Sequence, residues 1–239
     1  MWRKNTEEER LLGVSLTGIM DNEITSKPTK ELLNSLRSVA IQTNSETSER
    51  LGINPSAAIT CVKPSGTVSQ LVDSASGIHA RHSDFYIRTV RGDNKDPLTK
   101  FLTDSGIPAE ACVMKPDSTT VFSFPVKAPD GAVTRNDMSA IEQLELWKTY
   151  ALNWCEHKPS VTITVRDEEW LKVGSWVYDN FDICSGVSFL PHSDHTYAQA
   201  PYQDCNEETY KEALSKMPES IDWTKLASYE VEDLSLIHI

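Results

Sequence analysis

The sequence predicts an α/β fold with substantial parallel sheet, on three observations. Helical patterns alternate with short β-branched runs along the chain. No internal repeat or low-complexity stretch interrupts that alternation. The 239 residues, 39% of them hydrophobic, suffice to bury a sizeable core as one large domain or two small ones.

The first clear helix follows Pro28, where residues 29–41 place Leu32, Leu36, Val39 and Ala40 on one face. Ala57 to Val62 reads as a short buried strand, Phe85 to Val90 as a second, and Thr119 to Phe124 as a third that Pro125 stops. Residues 139–155 form a helix opened by Ser139 with Glu142 three positions on, a capping box. Pro159 to Val165 returns as a strand, and Asp167 caps a helix running from about Glu168 to Asn180. Beyond Pro191 the chain changes character, with 191–195 and 199–202 reading as an ordered loop before a terminal helix that wraps the domain. The last six residues, Leu234 to Ile239, resemble the translated end of a sequencing adapter. They are set aside from fold reasoning, with the native sequence expected to be interrupted near Asp233.

A formal charge of −12, spread along the chain, gives no basic patch for nucleic acid or an anionic membrane. Neither a secretory signal nor an apolar run of membrane-spanning length is present, so a cytoplasmic location without membrane contact is expected. Five scattered cysteines, Cys61, Cys112, Cys155, Cys184 and Cys205, lack Cys-x-x-Cys spacing, which argues against a disulfide scaffold or a structural zinc site. They read mostly as buried small hydrophobes.

The segment richest in chemistry is Lys63-Pro64-Ser65-Gly66-Thr67-Val68-Ser69-Gln70, directly after a buried strand and able to lead into a helix. Pro64 ends the strand, Gly66 lets backbone approach a ligand, and Ser65, Thr67 and Ser69 supply hydroxyls. Amides at a helix start would add positive partial charge suited to a phosphate. A plain helix N-cap after a strand accounts for the same residues. The loop is not a Walker motif, since Gly-x-x-x-x-Gly-Lys is absent.

The run from Ala57 to Leu71, followed by Ser74-Ala75-Ser76-Gly77-Ile78-His79, resembles adenosylcobalamin-dependent (class II) ribonucleotide reductases, in particular the monomeric triphosphate-reducing type. Leu11 to Ile19, Pro159 to Ile163, Ser185 to Pro191 and Gln199 to Tyr202 fit the same family in the same order, so the resemblance covers nearly all of residues 1–233. It implies the later part of a ten-stranded α/β barrel built of two five-stranded parallel halves. Residues 1–190 would be partial barrel, 191–233 a C-terminal loop and helix extension, and 234–239 the non-native tail. It also assigns the substrate's phosphates to Pro64, Ser65, Gly66, Thr67, Val68 and Ser69.

For the complete enzyme the resemblance implies reduction of ribonucleoside triphosphates to deoxyribonucleotides through a thiyl radical, with adenosylcobalamin as cofactor, a thioredoxin-like reductant and a monomeric state. The family's finger loop, a cysteine flanked by asparagine and glutamate, is absent from this sequence. The C-terminal cysteine pair would lie beyond Asp233. No catalytic residue and no metal site is therefore expected within this chain, which would be inactive alone. The alternatives are a noncatalytic nucleotide-phosphate-binding module or fold remnant, and a diphosphate-using or non-cobalamin reductase.

Smaller features carry weaker expectations. His192 and His195 beside Asp194 read as surface or structural rather than metal ligands. Arg88 and Arg91 read as a solvated strand face or, alternatively, as groups facing phosphate or corrin. Trp147, Trp154, Trp170 and Trp176 read as packing.

Overall fold

The computed structural model describes residues 1–65, 68–192 and 197–234. In chain order the elements begin with α1 (Trp2–Glu9), β1 (Val14–Ser15), α2 (Glu23–Ser26), α3 (Lys30–Leu51), β2 (Thr60–Cys61) and α4 (Val68–Leu71). There follow β3 (Phe85–Asp93), α5 (Pro97–Asp104), β4 (Ala109–Ala111), β5 (Thr119–Lys127), α6 (Ala140–Asn153) and β6 (Ser160–Val165). The chain closes with α7 (Trp170–Asp179), β7 (Gly186–Pro191), β8 (Tyr202–Asp204), α8 (Glu207–Ser215) and α9 (Leu226–Leu234). They fall into two compact units, residues 1–81 with 129–192, and residues 82–128 with the described part of 193–239. This partition cuts the chain differently from a division at 190/191, because 82–128 forms strands that pair with β8 rather than with β6 or β7.

In the first unit the pairing is parallel: Val14 lies opposite Thr60, and β6 runs beside β7 from Ser160–Gly186 to Val165–Pro191. Val161, Ile163 and Val165 of β6 are buried, while the intervening Ser160, Thr162 and Thr164 are half-buried, the period-two pattern of a strand with one covered face. Helix α6 lays Leu144, Trp147 and Tyr150 fully into the core with Ile19, Met20, Leu33 and Val62. Each buried aromatic ring removes roughly 150–250 Å² from water, and the polar tips are matched. The Trp147 indole N–H donates to the Pro159 carbonyl at 3.3 Å and the Trp154 indole to that of Cys61 at 2.8 Å. The Tyr150 hydroxyl donates to Thr25 O at 2.7 Å. Helix α6 opens with the expected capping box, the Glu142 amide donating to Ser139 Oγ at 3.2 Å and the Ser139 amide to the Glu142 carboxylate at 2.8 Å.

Two local expectations are corrected here. Helix α3 runs ten residues past Ile41, and the residue it buries most deeply among its apolar positions is Leu33, whereas Leu36 and Val39 are 43% and 58% exposed. The apolar stripe is present, but α3 meets α6 along a different line. Asp167 does not cap the helix after β6, because Glu169 does the work from inside. Its carboxylate accepts the Arg166 amide and the Ala140 amide, both at 2.9 Å, tying the start of that helical stretch to the start of α6.

The second unit is antiparallel, in the order β4-β5-β3-β8. Parallel sheet is thus confined to the first unit, and the largest sheet of the described residues is antiparallel. Strand β5 continues through Pro125, opposite Ile87, to Lys127. The Ser123 amide points to Pro108 O, on the β4 side. Position 125 faces the same way beyond Phe122, where β4 pairing ends, so the missing proline N–H removes no ladder bond. The terminal segment docks through α9, whose Tyr229 meets the Phe101 ring edge-on, with Trp223 tilted against the same ring.

Candidate functional site

The loop between β2 and α4 belongs to the first unit, and every support described for it comes from that unit. Pro64 is exposed, Ser65 half-buried, Val68 63% exposed and Ser69 buried; Gly66 and Thr67 lie outside the described residues. The helix-cap reading of the motif is met at Ser65. Its hydroxyl accepts the Ser69 amide at 2.9 Å, a cap for the turn that follows. The Ser69 hydroxyl returns a bond to the Ser65 carbonyl at 3.2 Å. Ser69 thus spends its amide and hydroxyl protons inside the loop, while among the described loop residues the Ser65 hydroxyl and the Val68 amide retain protons that these bonds do not use. The helix beyond is the single turn α4, so little macrodipole is available and anion recognition there would rest on local donors.

The return arm, residues 72–81, closes on the loop. Ser76 Oγ accepts the Ser65 amide and donates to the Ser65 carbonyl, each at 2.9 Å. Gly77 adopts φ +56°, and a Cβ there would sit 3.1 Å from the Lys63 carbonyl oxygen, so the two arms approach at a distance that only glycine fits comfortably. The His79 ring lies between Ser76 O and the Thr162 amide of β6, both at 3.0 Å. A carbonyl can only accept and an amide only donate, so the ring carries its proton on Nδ1 and accepts at Nε2. Burial holds the His79 pKa below its ordinary value, against a smaller upward pull from the Ser76 carbonyl.

A second brace comes from far upstream. Thr17 Oγ1 donates to Ala75 O at 2.9 Å and accepts the Gly77 amide at 3.0 Å. Asp21 accepts the Ala75 amide at 2.8 Å and forms a two-pronged ion pair with Arg81, at 2.8 and 3.1 Å. The Arg81 side chain is 4% exposed, and it also reaches the Asp73 carboxylate at 3.0 Å and the Asp73 carbonyl at 2.6 Å. Lys63 extends to Lys158 O at 2.6 Å and Ser160 Oγ at 3.2 Å, linking the loop to the start of β6.

The cysteines are free. Cys155 is buried and its thiol is pushed up to about 12, first by desolvation and then by Cys61 nearby, which keeps it protonated and poorly nucleophilic. Cys112, in the second unit, is also buried, yet its thiol is drawn below the ordinary value, chiefly by the Met114 amide. Arg88 is half-buried and Arg91 exposed on the strand, and both also bond backbone carbonyls of a neighbouring segment. Arg88 donates to Pro201 O at 3.0 Å and lies 4.2 Å from the Tyr202 ring centre, and Arg91 donates to Gln199 O at 2.8 Å. They hold the segment 199–202 against β3. His192 donates its amide to Val165 O, while Asp194 and His195 lie outside the described residues. Ser76 and His79 lie within the stretch that carries the family resemblance, which implies no role for them. Asp21 and Arg81 carry no local signal at all, being 60 positions apart.

No family model matches the chain. It is 33% identical over 229 residues to the adenosylcobalamin-dependent ribonucleoside-triphosphate reductase of Euglena gracilis, covering 92% of this chain and 31% of that protein. The enzyme of the same name from Lactobacillus leichmannii is 28% identical over 269 residues, covering 98% and 36%. The chain is thus similar in sequence to about a third of the length of these adenosylcobalamin-dependent ribonucleoside-triphosphate reductases. A crystal structure of a B12-dependent (class II) ribonucleotide reductase superposes with a TM-score of 0.82 at 24% identity, over 97% of this chain and 37% of that one. The α/β fold is therefore that of part of a class II reductase, and the chain spans about a third of the length of the curated reductases it matches.

Proposed function

We propose that this chain is part of an adenosylcobalamin-dependent ribonucleoside-triphosphate reductase and that the loop Pro64-Ser65-Gly66-Thr67-Val68-Ser69 receives the phosphates of its ribonucleotide substrate. The observation that supports the reading is the loop itself: a motif shared with the reductase resemblance, at the end of a buried strand, with Ser65 bonded to a return arm that is itself tied to Asp21 and to β6. Within it, the Ser65 hydroxyl and Val68 amide are the described donors suited to phosphate oxygens, and Ser69 closes the turn by its two bonds to Ser65.

Adenosylcobalamin, named for the relatives, would belong to the complete protein. The cavities described in this chain, of about 350 and 280 Å³, are at or below the low end of the ~300–1,000 Å³ that drug-sized ligands fill, and a corrin cofactor is larger. Neither cavity is assigned to the cofactor, and no residue of this chain is given a role toward it. A thioredoxin-like reductant, a monomeric state and a cytoplasmic location complete the reading. Among the described residues no helix is long and apolar enough to cross a membrane.

The test is kinetic, in the complete protein. Ser65→Ala combined with Thr67→Ala should raise KM for the ribonucleoside triphosphate by an amount equivalent to about 1–3 kcal/mol of lost charge-assisted hydrogen bonding. An unchanged KM overturns the phosphate assignment.

A further inference from the structure

Ser76 touches the loop in an unusual way: one hydroxyl both accepts the amide and donates to the carbonyl of the same residue, Ser65, at 2.9 Å each. That closes a two-bond ring which fixes the orientation of Ser65. The fixed residue then presents its own Oγ to the Ser69 amide, so the direction left for the Ser65 hydroxyl proton follows from where Ser76 stands. Ser76 is held in turn, since its carbonyl takes the Nδ1 proton of His79, whose Nε2 is engaged by β6. The result is a chain of bonds from a core strand through His79 and Ser76 to Ser65.

We infer that Ser76 is a positioning residue for phosphate recognition, acting through Ser65 without touching the ligand. The inference rests on the phosphate reading proposed above. It also specifies which donor does not serve: the Ser65 amide is committed to Ser76, and among the described loop residues recognition falls to the Ser65 hydroxyl and the Val68 amide.

The experiment is a titration of the full chain with inorganic triphosphate, followed by calorimetry and by amide NMR, on the wild type, Ser65→Ala, Ser76→Ala, Ser76→Thr and the Ser65→Ala/Ser76→Ala double variant. Ser76→Ala should weaken triphosphate binding about tenfold, and Ser76→Thr, which keeps the hydroxyl, should restore it to within about threefold. In the Ser65→Ala background the further loss on removing the Ser76 hydroxyl should nearly vanish, because the two act in series. A structural effect spread over the domain would instead add in full, and that additivity overturns the inference. Loss of affinity in Ser65→Ala with none in Ser76→Ala overturns it too, leaving the phosphate reading standing. If wild-type chain binds no triphosphate, the phosphate reading fails and the positioning role falls with it. Should Ser76→Ala not fold, the wild type still decides. The Ser65 amide should stay protected from exchange and unshifted when triphosphate is added, and a large shift there would mean that it binds phosphate itself.

Discussion

The Nε2 of His79 accepts the amide proton of Thr162 at 3.0 Å, joining a loop residue to a core strand 83 positions away. Only a neutral imidazole can make this bond, and that makes the return arm of the loop sensitive to acid.

Stability should therefore fall on acidification through this residue. The folded pKa of His79 lies below the ordinary 6.5, so between the two values the unfolded chain binds a proton that the folded chain refuses. The contribution is fully present above about 6.5 and is lost as pH falls through the folded value. Urea midpoints compared between pH 7.5 and 5 should drop more for the wild type than for His79→Gln. Equal drops would remove His79 as the cause.

Breaking the Asp21–Arg81 pair should be far costlier than losing Asp73. Arg81→Met leaves Asp21, with a side chain 15% exposed, without its cation, and about 3–5 kcal/mol of stability is expected to go. Asp73, 71% exposed at its side chain, should cost no more than about 1 kcal/mol as Asn. Equilibrium unfolding of the two variants measures the contrast, and equal losses would contradict the buried geometry.

Gly77→Ala should destabilise by about 1–3 kcal/mol, since alanine must adopt φ +56° and its Cβ must press on the Lys63 carbonyl. The same change at Gly52, whose φ is +65° with nothing within 4 Å, carries the backbone strain alone and should cost less. Thermal unfolding of the pair separates strain from crowding.

Glu169→Gln should cost about 1–3 kcal/mol by weakening two charge-assisted bonds at once, to the Arg166 and Ala140 amides. Amide exchange at Ala140 is the specific readout: it should quicken in the variant while exchange at the far end of α6 is little changed.

What could be read from sequence divides along the range of the interactions. The Ser139–Glu142 box and the strand after Pro159 are local patterns, and both appear where expected. The exposure of Leu36 and Val39 was not legible, because periodicity shows that a helix has an apolar stripe and not which neighbour meets it. Asp167 was a sound local candidate for a cap, yet Glu169 reaches both its own turn and the start of α6, a link invisible without the fold. The same holds at the loop. Ser65 and Ser69 could be singled out from the motif, whereas Thr17, Asp21, Arg81 and Thr162 arrive from distant segments and share no spacing with it.

The two-pronged pair between Asp21 and Arg81 has a further consequence for anyone wishing to move this loop. A graft of residues 62–79 onto another strand–turn–helix junction would carry the motif and leave its mould behind: the 17–21 segment that seats Ala75 and Gly77, Arg81, and the β6 amide that seats His79. The smallest transplantable unit is therefore discontinuous, three stretches of chain that owe their proximity to a shared core rather than to sequence adjacency.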